Sequence, residues 1–218
     1  MNKKTIAVLT VFLSLVIDQI SKIYVKLHMR IGDEYAYIGD WARIHFVENE
    51  GMAFGMSFGE GLGKFALTIF RIIAVAIITY FLVQQIKNKK SSKGFIFALS
   101  LILTGAVGNI IDSIFYGQIF SESTTTQIAS LFPAHGYAGW FHGRVVDMFY
   151  FPMFKGVLPD WIPFFGGKYF EFFQFIFNVA DACITVGVFI ILIFQKQFLN
   201  EKETPKQERI ISSENNVS

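Results

Sequence analysis

Aspartates and asparagines that interrupt or adjoin long apolar segments are the residues of this sequence best suited to chemistry. They are Asp18, Asn109, Asp112, Asp147, Asn178 and Asp181. Ionisable side chains are costly inside a bilayer, so each of these residues is a functional candidate. Two carboxylates that face each other in a partly desolvated site share a proton, and the pair can then supply both a base and an acid. Such a pair activates water for hydrolysis without a metal or a covalent intermediate.

The spacing of these residues groups them into patches. Within three apolar segments the polar residues stand three or four positions apart: Asp18 with Lys22, Asn109 with Asp112, and Asn178 with Asp181. Residues at that spacing share one face of a helix. Each of the three segments therefore presents one polar patch, and Asp147 lies in the connection that precedes the last of them.

The elements that must position these patches are membrane helices. The 218 residues have a mean hydropathy of +0.46 and only 17% are charged, whereas soluble domains carry about 25%. Together with 26 phenylalanines and a net charge of +2, this argues against a soluble enzyme, a disordered chain and a nucleic-acid binder. The single cysteine, Cys183, excludes an internal disulfide and a cysteine-based zinc site. His135 and His142 lack a third ligand, so no metal or other cofactor is expected.

Four segments are long and apolar enough to cross a bilayer core of about 30 Å. They lie at about 5–25, 62–86, 94–115 and 172–194. The first lacks a signal-peptide cleavage site and is interpreted as a retained helix. The sequence thus predicts an all-α membrane protein with four transmembrane helices in one domain, residues 1–195. The polar tail 196–218 is expected to be disordered.

Positive charge predicts the orientation of these spans. Ten lysines and arginines flank one side of the four-span arrangement: Lys3, Lys4, Lys87, Lys89, Lys90, Lys93, Lys196, Lys202, Lys206 and Arg209. The positive-inside rule then places both termini in the cytoplasm. The connections 28–61 and 116–171 form an outer cap. In that cap, residues 41–48 alternate like a half-buried strand, and residues 149–173 are rich in aromatic residues, as expected beside lipid headgroups. All the polar patches then meet at the outer leaflet. There Lys22 and Lys26 can extend their ammonium groups to the interface, and the alternative for Lys22 is an ion pair with Asp18.

Three other classes of membrane protein also use polar residues within the membrane. A transporter or channel would carry acids through the whole membrane depth, yet the inner halves of the predicted spans lack them. An assembly protein would use the patches as interhelical contacts and would tolerate asparagine at positions 147 and 181. A lipid phosphatase would need arginine, lysine and histidine clustered around a phosphate, and no such cluster is evident in the sequence.

Five sequence blocks resemble the bacterial lipoprotein signal peptidase (signal peptidase II) family. They occur in the family's order, at 18–22 (DQISK), 49–54 (NEGMAF), 105–112 (GAVGNIID), 145–147 (VVD) and 177–181 (FNVAD). Each block alone is weak, but five in order on a four-helix topology are highly specific.

The resemblance implies an aspartic peptidase of the bacterial cytoplasmic membrane that cuts prolipoproteins just before a diacylglyceryl-modified cysteine. It implies that Asp147 and Asp181 are the catalytic pair. The residues implied to bind the substrate or to support the pair are Asp18, Lys22, Asn49, Gly51, Asn109, Asp112 and Asn178. Of these, Asp112 is expected to support the third helix rather than perform chemistry. The expected partners are the lipid-modified substrate and membrane lipid, with no nucleic acid and no obligate protein partner.

The sequence departs from the family pattern in two places. The family commonly has arginine directly after the aspartate of the third block, whereas this sequence has Ser113. We hypothesise that Arg144, three residues before Asp147, supplies the missing positive charge. The connection between Asp112 and Asp147 is also longer than is usual, so residues 118–142 are expected to form an extra outer loop, either a lid or a decoration.

Overall fold

The computed structural model describes residues 1–50 and 62–200. The helices in this part of the chain are α1 (Lys3–His28), α2 (Leu62–Lys87), α3 (Lys93–Ile111), α4 (Gly117–Ile119), α5 (Val179–Ile193) and α6 (Gln195–Asn200), with a π-helical turn, Asp112–Tyr116, joining α3 to α4. The strands are β1 (Glu34–Ile38), β2 (Ala42–Asn49), β3 (Val145–Tyr150), β4 (Phe154–Val157), β5 (Tyr169–Phe172) and β6 (Ile176–Phe177).

Within residues 1–50 and 62–200, three helices are long and apolar enough to cross a membrane: Lys3–His28, Gly63–Lys87 and Lys93–Ile119. Two of them begin at side-chain caps that satisfy free backbone N–H groups. Asn2 accepts a hydrogen bond from the Thr5 backbone nitrogen, and Ser92 accepts one from Phe95. The first three predicted spans are therefore confirmed as apolar helices of membrane-spanning length.

The fourth predicted span is wrong at its start. Helix α5 begins at Val179 rather than at residue 172, because the aromatic-rich stretch before it forms β5 and β6, as suits residues with high strand propensity. Asn178 then starts the helix through a capping box with Asp181. The 15 residues of α5 span about 22 Å, which is less than the bilayer core of about 30 Å.

Close helix packing at α3 brings the polar residues together. A Cβ added at Gly105 would lie 2.1 Å from the Ala180 carbonyl oxygen, and one at Gly187 would lie 2.7 Å from the Ala98 carbonyl oxygen. Only glycine permits backbones to approach this closely. The glycines therefore set the distance between α3 and α5.

A small antiparallel sheet packs against one end of the helices, and we call this end of the molecule the sheet end. Its strand order is β1-β2-β3-β6, and Val47 of β2 pairs with Asp147 of β3. The predicted strand at 41–48 is thus confirmed as β2. The buried residues Phe46, Val146 and Met148 form a core with Phe120 from the long connection. A separate hairpin, β4–β5, was not predicted.

The segment 118–142 and the start of the C-terminal tail both adopt defined structure. Residues 118–142 form an ordered segment that is packed into the sheet core through Phe120 and Ala129, with Phe120 paired to Leu131. Helix α6 covers the first five residues of the tail predicted to be disordered, so that prediction is wrong for residues 196–200. Residues 201–218 lie outside the described part of the chain.

Candidate active site

Asn178 connects the two aspartates that the sequence analysis paired. Asp147 lies on β3 and is only 4% exposed, while Asp181 lies in the first turn of α5 and is half-buried. The Asn178 side-chain nitrogen donates to Asp147 Oδ1 at 2.7 Å. The Asn178 backbone nitrogen donates to Asp181 Oδ2 at 3.4 Å, and the Asp181 backbone nitrogen donates back to Asn178 Oδ1 at 2.9 Å. Asn178, the N-cap of α5, therefore orients both carboxylates.

Two further asparagines hold the carboxylates from other elements. Asn109 of α3 donates its side-chain nitrogen to Asp181 Oδ1 at 2.8 Å, and its oxygen accepts from Asn178 at 3.2 Å. Asn49 at the end of β2 donates to Asp147 Oδ2 at 3.4 Å. The structure thus brings together the asparagines at positions 49, 109 and 178. Gly51, which was predicted beside them, lies outside the described residues.

Burial gives Asp147 unusual protonation behaviour. Desolvation and, after it, the negative charge of Asp181 raise the pKa of Asp147 to about 7. The hydrogen bonds from Asn178 and Asn49 oppose that rise without cancelling it. A carboxyl group with such a pKa is partly protonated at neutral pH, so it can serve as a proton donor beside an ionised partner.

A buried ionic cluster lies directly beneath the pair. Lys22 Nζ is 3.0 Å from Asp18 Oδ2, 2.7 Å from Asp112 Oδ2 and 2.9 Å from Asn109 Oδ1. Asp18 Oδ1 also accepts the backbone nitrogen of Ala180 at 2.8 Å. These contacts tie α1, α3 and α5 together, with Lys22, Asp18 and Asp112 fully buried. Of the two expectations for Lys22, extension to the interface is wrong, because two carboxylates hold the ammonium group inside, and pairing with Asp18 is confirmed.

Lys26 is likewise buried rather than extended to the interface. It forms an ion pair with Glu48 of β2 and donates to Ser123 Oγ at 3.0 Å. Its ammonium group also lies 4.9 Å from the ring centre of Tyr137. This contact set fastens the long connection 118–142 to α1 and to the sheet.

Arg144, hypothesised to supply the positive charge missing at position 113, directs its guanidinium to acidic residues instead. Its Nη1 atom pairs with Glu122 at 3.2 Å and Glu48 at 3.4 Å, and its guanidinium stacks on Tyr137. The cation that contacts Ser113 is Arg71 of α2, whose Nη1 lies 3.2 Å from Ser113 Oγ. The physical reason is that Glu48 and Glu122 pair with the Arg144 guanidinium, while Arg71 donates to the Ser113 hydroxyl.

Sequence reasoning missed Arg71, although a signal for it existed. An arginine within an otherwise apolar span is itself a functional candidate, and Arg71 occupies that position in the second predicted span.

For metals, residues 1–50 and 62–200 contain no group of three or more His, Cys, Asp or Glu side chains arranged to hold an ion.

The bundle, the sheet and the buried aspartates define a multi-pass membrane protein with a polar site enclosed at the sheet end. Residues 10–196 match the family model of signal peptidase (SPase) II. The chain is 50% identical over 191 residues to the lipoprotein signal peptidase of Porphyromonas gingivalis, covering 87% of this chain and 82% of that protein. It is 38% identical to that of Amoebophilus asiaticus, covering 87% and 77% respectively. The chain therefore belongs to the signal peptidase II family.

Solved structures share this fold. A bacterial membrane enzyme determined by the in meso method at 2.3 Å matches with a TM-score of 0.56 and 24% identity, covering 92% of this chain and 93% of that one. A second, determined at 1.9 Å, matches with a TM-score of 0.55 and 25% identity, covering 86% and 90%. The helical bundle with its small sheet is thus the architecture of a known membrane enzyme.

Proposed function

We propose that this protein is an aspartic endopeptidase that removes the signal peptide from prolipoproteins, cutting just before the diacylglyceryl-modified cysteine. The observation that carries the proposal is the Asn178 bridge, which orients Asp147 and Asp181 together at a buried position. Membership of the signal peptidase II family supports the substrate class.

The chemistry needs only the two carboxyl groups and water. One carboxylate takes a proton from a water molecule as the water oxygen bonds to the scissile carbonyl carbon. The protonated partner gives its proton to the carbonyl oxygen. The tetrahedral intermediate then collapses, the C–N bond breaks, and the amine leaves with a proton returned through the pair. The raised pKa of Asp147 supports Asp147 as the member that carries the proton before attack.

The neighbouring residues would keep the pair in place. Asn109 donates to Asp181 Oδ1 and Asn49 donates to Asp147 Oδ2. The Lys22, Asp18 and Asp112 cluster would fix α5, which carries Asp181, relative to α1 and α3. Gly51 remains a candidate substrate-binding residue on the resemblance alone.

The position of the pair suits a lipid-modified substrate. We place the sheet end at the outer leaflet of the bacterial cytoplasmic membrane, with both termini and the lysine-rich loop in the cytoplasm and four helices across the bilayer. The diacylglyceryl group would remain among the acyl chains while the bond before the cysteine reaches the interface. The apolar exposed faces of the helices fit that arrangement.

The test is cleavage of a diacylglyceryl-modified prolipoprotein in lipid by the wild type, Asp147→Asn and Asp181→Asn. Asparagine keeps the shape but cannot exchange the proton, so both variants should lose at least about 10³-fold in kcat. Asp40→Asn is the matched control, because the Asp40 side chain is fully exposed, and it should cleave like the wild type. Wild-type rates in either site variant would overturn the assigned pair. Equal cleavage of an unmodified precursor would overturn the substrate assignment.

A further inference from the structure

Arg71 is an arginine within a membrane-length helix, and its contacts point toward the aspartate pair. It lies in α2 at the tenth residue from the start of the helix and is half-buried. Its Nη1 donates to Ser113 Oγ at 3.2 Å. An unpaired arginine at this depth would be expensive, so a favourable interaction must offset the cost of placing it here.

Ser113 relays that contact to the site. Its hydroxyl accepts from Arg71 and donates to the Asn109 carbonyl oxygen at 2.9 Å. Asn109 in turn donates its side-chain nitrogen to Asp181. Ser113 therefore links the Arg71 guanidinium to Asn109, and Asn109 is the residue that donates to Asp181.

The charges around the site explain what Arg71 offsets. Its guanidinium interacts electrostatically with Asp181 of α5, Asp112 of the π-helical turn and Asp147 of β3. Lys22 of α1 is already paired directly with Asp18 and Asp112. Lys64, also on α2, interacts with Glu50 and Glu48 instead. Lys22 also interacts electrostatically with Asp147, so Arg71, which interacts with both Asp147 and Asp181, is a second cation at the pair.

We propose that Arg71 is a positioning residue of the pair: Ser113 holds its guanidinium where the positive charge stabilises the singly ionised state of Asp147 and Asp181. The inference rests on the proposed function and adds to it the residue that sets the pH range of cleavage. It also assigns Ser113 a role, as the hydroxyl that anchors a cation from the neighbouring helix.

Removing the charge should change the pH dependence as well as the rate. Without the cation a carboxylate is harder to form, so the acid limb of the kcat profile of Arg71→Met should move up by about one pH unit. The kcat at the wild-type optimum should fall by about 10²-fold. Arg71→Lys keeps the charge and should retain most of the rate and the wild-type acid limb. Ser113→Ala keeps the Arg71 charge but removes the hydroxyl that anchors it. Its acid limb should move in the same direction as that of Arg71→Met, but by less.

A relocation variant tests the position of the charge. In Arg71→Met/Ser113→Arg the new guanidinium enters the same space from the π-helical turn that carries residue 113. At least about 10-fold of the lost kcat should then return. Arg30→Met removes an exposed arginine from the turn after α1 and should leave the profile unchanged. Thermal unfolding in detergent verifies that each variant is folded before its kcat is compared.

The outcomes separate the two proposals. If Asp147→Asn or Asp181→Asn still cleaves, the proposed function fails whatever Arg71 does. If both are inert but Arg71→Met keeps the wild-type kcat and acid limb, only the Arg71 inference fails. It also fails if Arg71→Lys is as slow as Arg71→Met. A folded double variant that remains as slow as Arg71→Met would overturn the position assigned to the charge.

Discussion

Asn178 is both the N-cap of α5 and the donor that holds Asp147. Its side-chain nitrogen lies 2.7 Å from Asp147 Oδ1. One side chain therefore couples the start of a helix to the orientation of a carboxylate on a strand. Because its oxygen accepts the Asp181 backbone nitrogen, the same amide also fixes the first turn that carries Asp181. Local helix capping and site geometry are thus a single arrangement.

Substitutions at Asn178 should separate these two roles. Asn178→Ala loses the cap, which costs about 0.5–2 kcal/mol of stability, and also loses the bond to Asp147. Asn178→Ser keeps a capping oxygen but cannot reach Asn109 and Asp147 together. We expect both variants to be inactive and only the alanine variant to lose clear stability, as measured by thermal unfolding and by kcat. Full activity in Asn178→Ser would contradict the bridging role.

The raised pKa of Asp147 predicts how stability depends on pH. In the unfolded chain this carboxyl group ionises near its ordinary value of about 3.9, whereas in the folded protein its pKa is about 7. Between these values the folded state binds more protons, so this group makes stability fall as pH rises from about 4 to about 7. The melting temperature of Asp147→Asn should therefore fall less than that of the wild type between pH 4.5 and 7.5. Parallel pH curves would show that Asp147 is not protonated in the folded state.

The buried ionic cluster predicts a large effect at Lys22. Lys22→Met leaves Asp18 and Asp112 buried without their cation, which should cost about 3–5 kcal/mol. Adding Asp112→Asn to that variant removes one uncompensated charge and should recover part of the loss. Lys89→Met, in the exposed loop after α2, is the control and should be neutral. A small effect of Lys22→Met in thermal unfolding would mean that the cluster does not stabilise the bundle.

Gly105 predicts a packing effect that reaches the site. Alanine there would place a methyl group 2.1 Å from the Ala180 carbonyl oxygen, so α5 must move away from α3. We expect Gly105→Ala to lose about 1–3 kcal/mol and to lower kcat, because Asp181 follows Ala180 directly. Gly139→Ala has no atom within 4 Å of the added carbon and should leave both quantities unchanged. An unaltered kcat would show that α5 can shift without moving Asp181.

The hairpin β4–β5 predicts contact with the membrane interface. Trp161 is 80% exposed and Phe164 is 91% exposed, on a segment that leads into the short helix α5. Because α5 spans only about 22 Å, these rings are expected at the headgroup level, where aromatic residues are favoured. In a Trp41→Phe/Trp140→Phe variant, which keeps Trp161 as its single tryptophan, fluorescence in liposomes should be quenched by lipids brominated near the headgroup. Quenching only by a water-soluble agent would place the hairpin in solvent.

The sequence by itself determined the elements with a strong local signal. Apolar length fixed the first three long helices, and alternation fixed β2. The spacing of Asn178 and Asp181 placed both on one turn, which became the capping box of α5. The blocks that resemble the family marked Asp147, Asp181, Asn109 and Asn49, whose side chains the structure brings together. The helices, the strand and the capping box depend on neighbours within a few positions of the chain, so the sequence expresses them directly.

The tertiary structure decided what depends on distant partners. The phenylalanines at 172–177 are compatible with a membrane helix or with strands. Pairing of Ile176 with Tyr150 places the end of this stretch in a strand. Extension to the interface was one expectation for Lys22 and Lys26, but Asp112 of the π-helical turn holds Lys22 inside and Glu48 of β2 holds Lys26 inside. Glutamates likewise hold the Arg144 guanidinium, and Arg71, which sequence reasoning missed, is the cation that contacts Ser113. Charge compensation acts through space between segments far apart in sequence, and only the packing of α2, α3 and the sheet determines which cation meets which carboxylate.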